Sequence, residues 1–288
     1  MTTERFPYEP KAKLLSLVAD GDDEGLHWQI YCAGFNEKGW RKKELAMHLI
    51  SWLPAIVLHP TAEPPEFGDW SQKLSQAARH VFATKNVDSR GEIGEILLHI
   101  ICRQNFRTYP TIFKLFYKTA SNDVVKGFDL IHTNYCESAD EIEIWLGESK
   151  FYKSLGRAIT DAVESINTHL TEDFLDAEKA LVGPKINPGV PGYEKLKYLL
   201  EDISVNASEL KKHLIIPIFV TFNLKEIKSL TEATDSYTDL LKCKLLPKLK
   251  FIKGAGWFES VRVKVFAMPL GLKDDLVEEF SKKLELSK

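Results

Sequence analysis

The chain has 288 residues, a net charge of −3, 44% hydrophobic and 27% charged residues, which are ordinary proportions for a globular fold with a substantial core. That balance excludes a generally polycationic nucleic-acid binder, so any such surface must be a local patch or belong to a partner. Cys32, Cys102, Cys136 and Cys243 form no Cys-x-x-Cys pair, which argues against zinc and fits a reducing cytoplasm; the first ten residues have no signal-peptide core, and no apolar run reaches the length of a membrane span.

Residues 1–60 read as an α+β segment. Leu26 to Cys32 is rich in aromatic and β-forming residues and predicts a strand. Glu37 to Leu53 places Leu45, Leu49 and Trp52 at helical spacing. His27 and His48 read as packed core histidines rather than ligands. Three prolines between Pro60 and Gly68 predict a loop, and a helix follows from Asp69 to Ala83. The helix from Gly91 to Gln104 carries an apolar stripe of Ile93, Ile96, Leu97 and Ile100, with Glu92, Glu95 and His99 on another flank. Glu92 and Glu95, three apart, can point the same way.

Three strands come next. Thr111 to Thr119 alternates in character. Val124 to His132 sets Asp129 on a face with Val125 and Ile131. The third strand ends in Glu148-Ser149-Lys150. Residues two apart in a strand share a face, so Ile142, Ile144, Leu146, Glu148 and Lys150 form one row. The row starts apolar and ends with a carboxylate and an ammonium. Burying an ion costs several kcal/mol unless it is paired or binds a metal. Two carboxylates in one environment repel unless a cation lies between them. Mg²⁺ takes oxygen ligands and usually needs only one or two carboxylates. Asp129 and Glu148 could supply these, Lys150 could steady charge or an attacking water, and Glu95, or Glu92, could complete the shell. A Glu-x-Lys pair alone is weak, since many solvated strand faces carry one.

Phe151 to Leu170 predicts a helix with Leu155, Ile159, Val163 and Ile166 inward, and with Tyr152, Lys153 and Arg157 beside the acidic row, where they could meet a phosphate backbone. Val182 to Gly192, with three prolines and three glycines, predicts a linker or long loop. A helix from Tyr193 to Ile203 precedes the nearly continuous apolar run Leu214 to Phe222, a buried strand in which Pro217 argues for an edge or a bulge. A helix from Asp235 to Leu246, a strand around Val261 to Val265 and an amphipathic helix from Lys273 to Leu286 complete the chain. Lys242, Lys244, Lys248, Lys250 and Lys253, with Phe251 and Trp257, form the best candidate for a basic patch outside the core, suited to phosphates and exposed bases; a solvated amphipathic face is the commoner explanation of such a run. No Walker-type glycine-lysine motif is present.

The order helix-Glu, strand-Asp, strand-Glu-x-Lys is similar to the PD-(D/E)xK nuclease superfamily. Gly91-Glu92-Ile93-Gly94-Glu95, Lys126-Gly127-Phe128-Asp129 and Gly147-Glu148-Ser149-Lys150-Phe151-Tyr152 resemble the HamA family, the nuclease-type subunit of the bacterial Hachiman anti-phage system. One departure is plain: Gly127-Phe128 stands where the superfamily name has Pro before Asp129. The resemblance implies an α/β fold of α+β type with a restriction-endonuclease-like core at residues 85–180, a mixed sheet flanked by helices, and elaborations at 1–84 and 181–288. It implies a metal-dependent DNA nuclease using Mg²⁺ or Mn²⁺, with Asp129 and Glu148 as metal ligands and Lys150 and Glu95 completing the catalytic set. Lys153, Arg157, Lys242 and Lys244 are the candidate nucleic-acid contacts. The implied partner is the superfamily-2 helicase HamB, which would restrain the nuclease and hydrolyse any ATP. Two other readings stay open: a non-catalytic subunit that keeps the nuclease fold as a binding platform, and a nuclease directed at RNA.

Overall fold

A computed structural model describes residues 9–58, 69–83, 91–112, 127–186 and 188–288. Its frame is one seven-stranded mixed sheet of order β1-β2-β9-β8-β7-β6-β5. The strands are β1 (Ser16–Asp23), β2 (Leu26–Cys32), β5 (Tyr109–Ile112), β6 (Leu130–Cys136), β7 (Glu141–Lys150), β8 (Leu214–Asn223) and β9 (Arg262–Leu270). A short hairpin, β3 (Phe35–Asn36) and β4 (Gly39–Trp40), stands apart from it. β2, β9, β8 and β7 run parallel, while β1, at one end, and β6 and β5, at the other, add antiparallel pairings. Strands from the beginning, middle and end of the chain therefore share one ladder, with β8 and β9 near its centre.

Helices cover both faces. α1 (Lys42–Val57), α2 (Trp70–Ala83), α3 (Glu92–Phe106) and the terminal α9 (Lys273–Leu286) pack together, with α3 against β6, β7 and β8. Across the sheet lie α4 (Leu155–His169) and α5 (Glu172–Val182), α6 (Tyr193–Glu201) and α7 (Ala207–His213), and α8 (Asp235–Lys253). Covering both faces explains why β8 reads as an unbroken apolar run: nine of its ten residues are buried, and neither side can face water.

Several expectations need correction. The reading of Thr111 to Thr119 as a strand lies mostly outside the described residues, which hold β5 only to Ile112. β6 begins at Leu130, so Asp129 sits just before the strand rather than within it. α8 continues seven residues beyond the predicted stop at Leu246 and accommodates Pro247 inside it. His27 is exposed and paired with Asp22 at 3.0 Å, not packed in the core, because it lies on the outward row of β2. The stretch after residue 182 begins with a turn of 3₁₀ helix, Gly183–Lys185.

Pro217 is the most instructive correction. It lies in a central strand, not at an edge. Lacking an N–H, it cannot donate to a ladder. The β7–β8 pairing lapses there, between Trp145↔Ile215 and Glu148↔Ile218, and resumes in the same register, so no residue is inserted. Gly147 faces the gap: a Cβ on it would approach Leu98 at 2.8 Å, Leu130 at 3.0 Å and Pro217 at 3.2 Å. A glycine and a proline thus fit together immediately before Glu148.

Candidate active site

β7 supplies the row that the alternation predicts. Ile142, Ile144 and Leu146 are buried, and Glu148 continues the row at only 3% exposure. β6 and β7 pair antiparallel with Leu130↔Gly147 and Ile131↔Leu146. Extending that register by one residue sets Asp129 opposite Glu148, on the same face. The Asp129 N–H donates to the Gly147 carbonyl at 2.8 Å, and one Asp129 carboxylate oxygen, Oδ2, accepts the Ser149 N–H at 2.9 Å. The backbone of β7 therefore fixes the Asp129 side chain. Gly127 lies against the Glu178 carboxylate on α5.

Lys150 donates to Glu148 Oε1 at 2.7 Å. Glu148 Oε2 is buried, accepts no hydrogen bond of normal geometry, and lies 3.7 Å from His169 Nδ1. Burial pushes the Glu148 carboxyl up from the usual range. The Asp129 charge pushes it further, and Lys150 with the Ser165 hydroxyl offsets part of the rise. Burial alone would lower the Lys150 ammonium, but the charge and hydrogen bond of Glu148, together with Asp129, hold it above its ordinary value. The pocket concentrates negative charge in a place that resists it, a state a cation relieves.

α3 meets the end of β7 from the other side. Gly94 packs on Ser149 and Phe151, the residues that alternate with Glu148 and Lys150. Glu95, half-buried, lies on the first turn of α3, one residue after Gly94. Glu92 lies close enough to Lys273 to act on it. The structure gathers Asp129, Glu148 and Lys150, and sets α3 across the sheet from them.

The flanking bases are near but engaged. Lys153 pairs with Asp274 at 2.8 Å. Arg157 pairs with Asp161 at 3.5 Å and lies over the Tyr152 ring at 5.7 Å. On α8 the buried stripe is Tyr237, Leu241, Leu245, Leu249 and Ile252. At about 100° per residue, Lys244 and Lys248 fall on one side of that stripe and Lys242 and Lys253 on the other. Lys253 is tied to Asp23 at 2.9 Å and Glu24 at 2.8 Å, so the basic patch seen in the sequence is split by the helix.

Two neighbours of Glu148 went unread in the sequence: Ser165 and His169 on α4. Their signal was available, because the pair lies one turn apart (i, i+4) beside the buried stripe Leu155, Ala158, Ala162 and Ile166. The His169 ring also stacks on Phe174, with centroids 4.5 Å apart.

Among the described residues no three His, Cys, Asp or Glu side chains form a group able to hold a metal ion. The acidic pair alone still fits a magnesium-type ion, which takes few protein ligands and keeps water. Glu148 Oε2, buried without a donor, is the atom that suits such an ion.

The fold and the cluster define a class first: a mixed-sheet α/β protein with an acid–acid–lysine group at the carboxyl end of a parallel strand, where open α/β sheets commonly bind ligands. The chain belongs to the HamA family, whose model matches residues 12–284, and membership points to Hachiman anti-phage defence. No curated protein matches the chain. No helix among the described residues is long and apolar enough to cross a membrane.

Proposed function

We propose that the protein is a metal-dependent DNA nuclease, the effector subunit of a Hachiman complex with a superfamily-2 helicase of HamB type. The carrying observation is Asp129 facing Glu148 across the β6–β7 register, with Lys150 bonded to Glu148. Asp129 and Glu148 would hold Mg²⁺ or Mn²⁺. A bound cation of this kind supplies an acidified water and positive charge for the phosphoryl oxygens. Lys150 places a lasting ammonium beside the reacting phosphate, where it offsets developing charge and orients the attacking water. Asp129 is held in place by Ser149 N–H, so it needs little rearrangement. Glu95 supports the site from the first turn of α3, and Lys153 and Arg157 stand next to it as phosphate contacts.

The test is cleavage of DNA by the full complex with Mg²⁺ and with EDTA, for the native chain and for Glu148→Ala with Lys150→Ala. Cleavage that needs the ion and vanishes in the double variant supports the reading; unchanged cleavage in that variant removes it.

One observation favours a second reading. Lys150 already neutralises Glu148 at 2.7 Å, as in a structural ion pair of a non-catalytic binding subunit. That subunit would leave the complex without chain-dependent cleavage in either buffer. Parallel RNA substrates test the ribose alternative.

A further inference from the structure

The chain's basic residues differ in whether carboxylates already occupy them. Lys153, Arg157 and Lys253 are each paired. Lys244, Lys248 and Lys250 on α8 form no ion pair among the described residues. Lys244 and Lys248 share a flank, and that flank faces α4: Lys248 Nζ lies about 4.0 Å from where a Gly156 Cβ would be. Gly156 is in the first turn of α4, six residues after Lys150. One turn beyond Lys248, Phe251 is 49% exposed. Two ammonium groups hover at its ring, Lys248 at 5.9 Å and Lys250 at 5.4 Å.

An exposed phenylalanine between unpaired lysines has an evident complement. The lysines attract a polyanion, and the ring offers a face on which a base can stack. Stacking needs an unpaired base, because a duplex hides its base faces inside the helix. On the other side of Gly156 the path continues to Arg157, to the Tyr152 ring beneath it and to Lys150, whose charge Tyr152 feels. We propose that the Lys244–Lys248–Phe251 flank of α8, with the start of α4, is a track for a single nucleic-acid strand leading to the Asp129–Glu148–Lys150 site. This deepens the nuclease reading and rests on it for the destination of the strand, while the binding itself can be measured apart from any cleavage.

The experiment is fluorescence anisotropy of the full chain in EDTA with labelled oligo-dT, oligo-dU, oligo-U, and oligo-dT annealed to oligo-dA. Phe251→Ala weakens single-strand binding about tenfold, leaves duplex binding unchanged, and is rescued by Phe251→Trp. Lys244→Glu with Lys248→Glu weakens strand binding and flattens its salt dependence. Oligo-U against oligo-dU, which differ only at the 2′-position, identifies the preferred sugar. The proposal is overturned if Phe251→Ala leaves single-strand affinity as it was, or if the duplex binds as tightly and loses as much. Far-UV circular dichroism of each variant excludes misfolding, for which an exposed ring gives little reason. Glu148→Gln serves as the separating control. Phe251-dependent strand binding by a chain whose native complex cleaves nothing with Mg²⁺ would sink the nuclease reading and leave the track standing; cleavage lost in Glu148→Gln, with strand binding unmoved by Phe251→Ala, would do the reverse.

Discussion

Two groups of polar residues, each at least partly buried, flank the same strands, and they behave in opposite ways. One is Asp129, Glu148 and Lys150. The other is a histidine cluster on the α3 side, where His132 Nε2 meets His99 Nδ1 at 3.1 Å and His132 Nδ1 meets Thr108 Oγ1 at 2.8 Å. The His99 ring lies 5.9 Å from Trp52, whose ring is 6.3 Å from His48. Burial drives the histidines neutral: His99 is held down to about 3, His48 to about 4, and His132 well below its ordinary value. The cluster is packed and uncharged: hydrogen bonds join Thr108, His132 and His99, and ring contacts extend it to Trp52 and His48 on α1. The acidic group keeps its ammonium, held above its ordinary value by Glu148, beside a Glu148 carboxyl that burial and Asp129 push up, and lies where β7 ends. A polar residue on an apolar row therefore does not by itself mark chemistry. An ammonium held charged against a carboxylate pair at a strand's carboxyl end separates the candidate site from a structural network.

The sharpest way to break this comparison is to remove the charge. Glu148→Gln keeps the shape and loses the anion; we expect DNA cleavage by the complex to fall at least about 10²-fold, read as the initial rate on linear DNA. A fall of only a few-fold would place Glu148 with the histidines as structure.

Next comes the converse. His132→Ala strips a partner from both Thr108 and His99 and opens a cavity, so unfolding free energy should drop by about 2–4 kcal/mol. Cleavage per folded molecule, assayed well below the melting midpoint, should hold. Lost cleavage with an unshifted melting point would instead make this cluster part of the chemistry.

A smaller effect follows from acid. Because the folded-state value of His99 lies below its unfolded value near 6.5, the unfolded chain takes up protons first. Stability is complete above about pH 6.5 and is lost as pH falls toward the folded value, by roughly 2 kcal/mol at pH 5 for His99. Urea titrations across that range check the slope, which His99→Gln should reduce. The smallest expected change is at α3: Glu95→Gln should lower cleavage by roughly tenfold or less, as a group supporting the site from the other face, and Glu92→Gln by less still. Equal, full loss at Glu95 would make it a direct participant.

How far the chain could be read depended on whether a signal was local. The alternation from Ile142 to Lys150 gave both the strand and its charged end, because period two needs nothing beyond the strand itself. Leu155, Ile159 and Ile166 likewise gave the core face of α4, and the terminal helix Lys273–Leu286 appears with the expected bounds. Pairings between distant residues were not legible. His99 and His132 are 33 residues apart, and neither residue's neighbours announce the other. Gly147 against Pro217 looks in sequence like two strand breakers; only the sheet order shows that each makes room for the other. The α8 lysines formed one patch on paper, and the turn of the helix divided it.

The central claim is that Asp129 and Glu148 share one divalent cation. Titration of the full chain with Mn²⁺, followed by electron paramagnetic resonance of the free ion, tests it without requiring a substrate or an activating signal. The account predicts a site that Mg²⁺ competes for and that both Asp129→Asn and Glu148→Gln abolish. Mn²⁺ binding left intact by either substitution would contradict it.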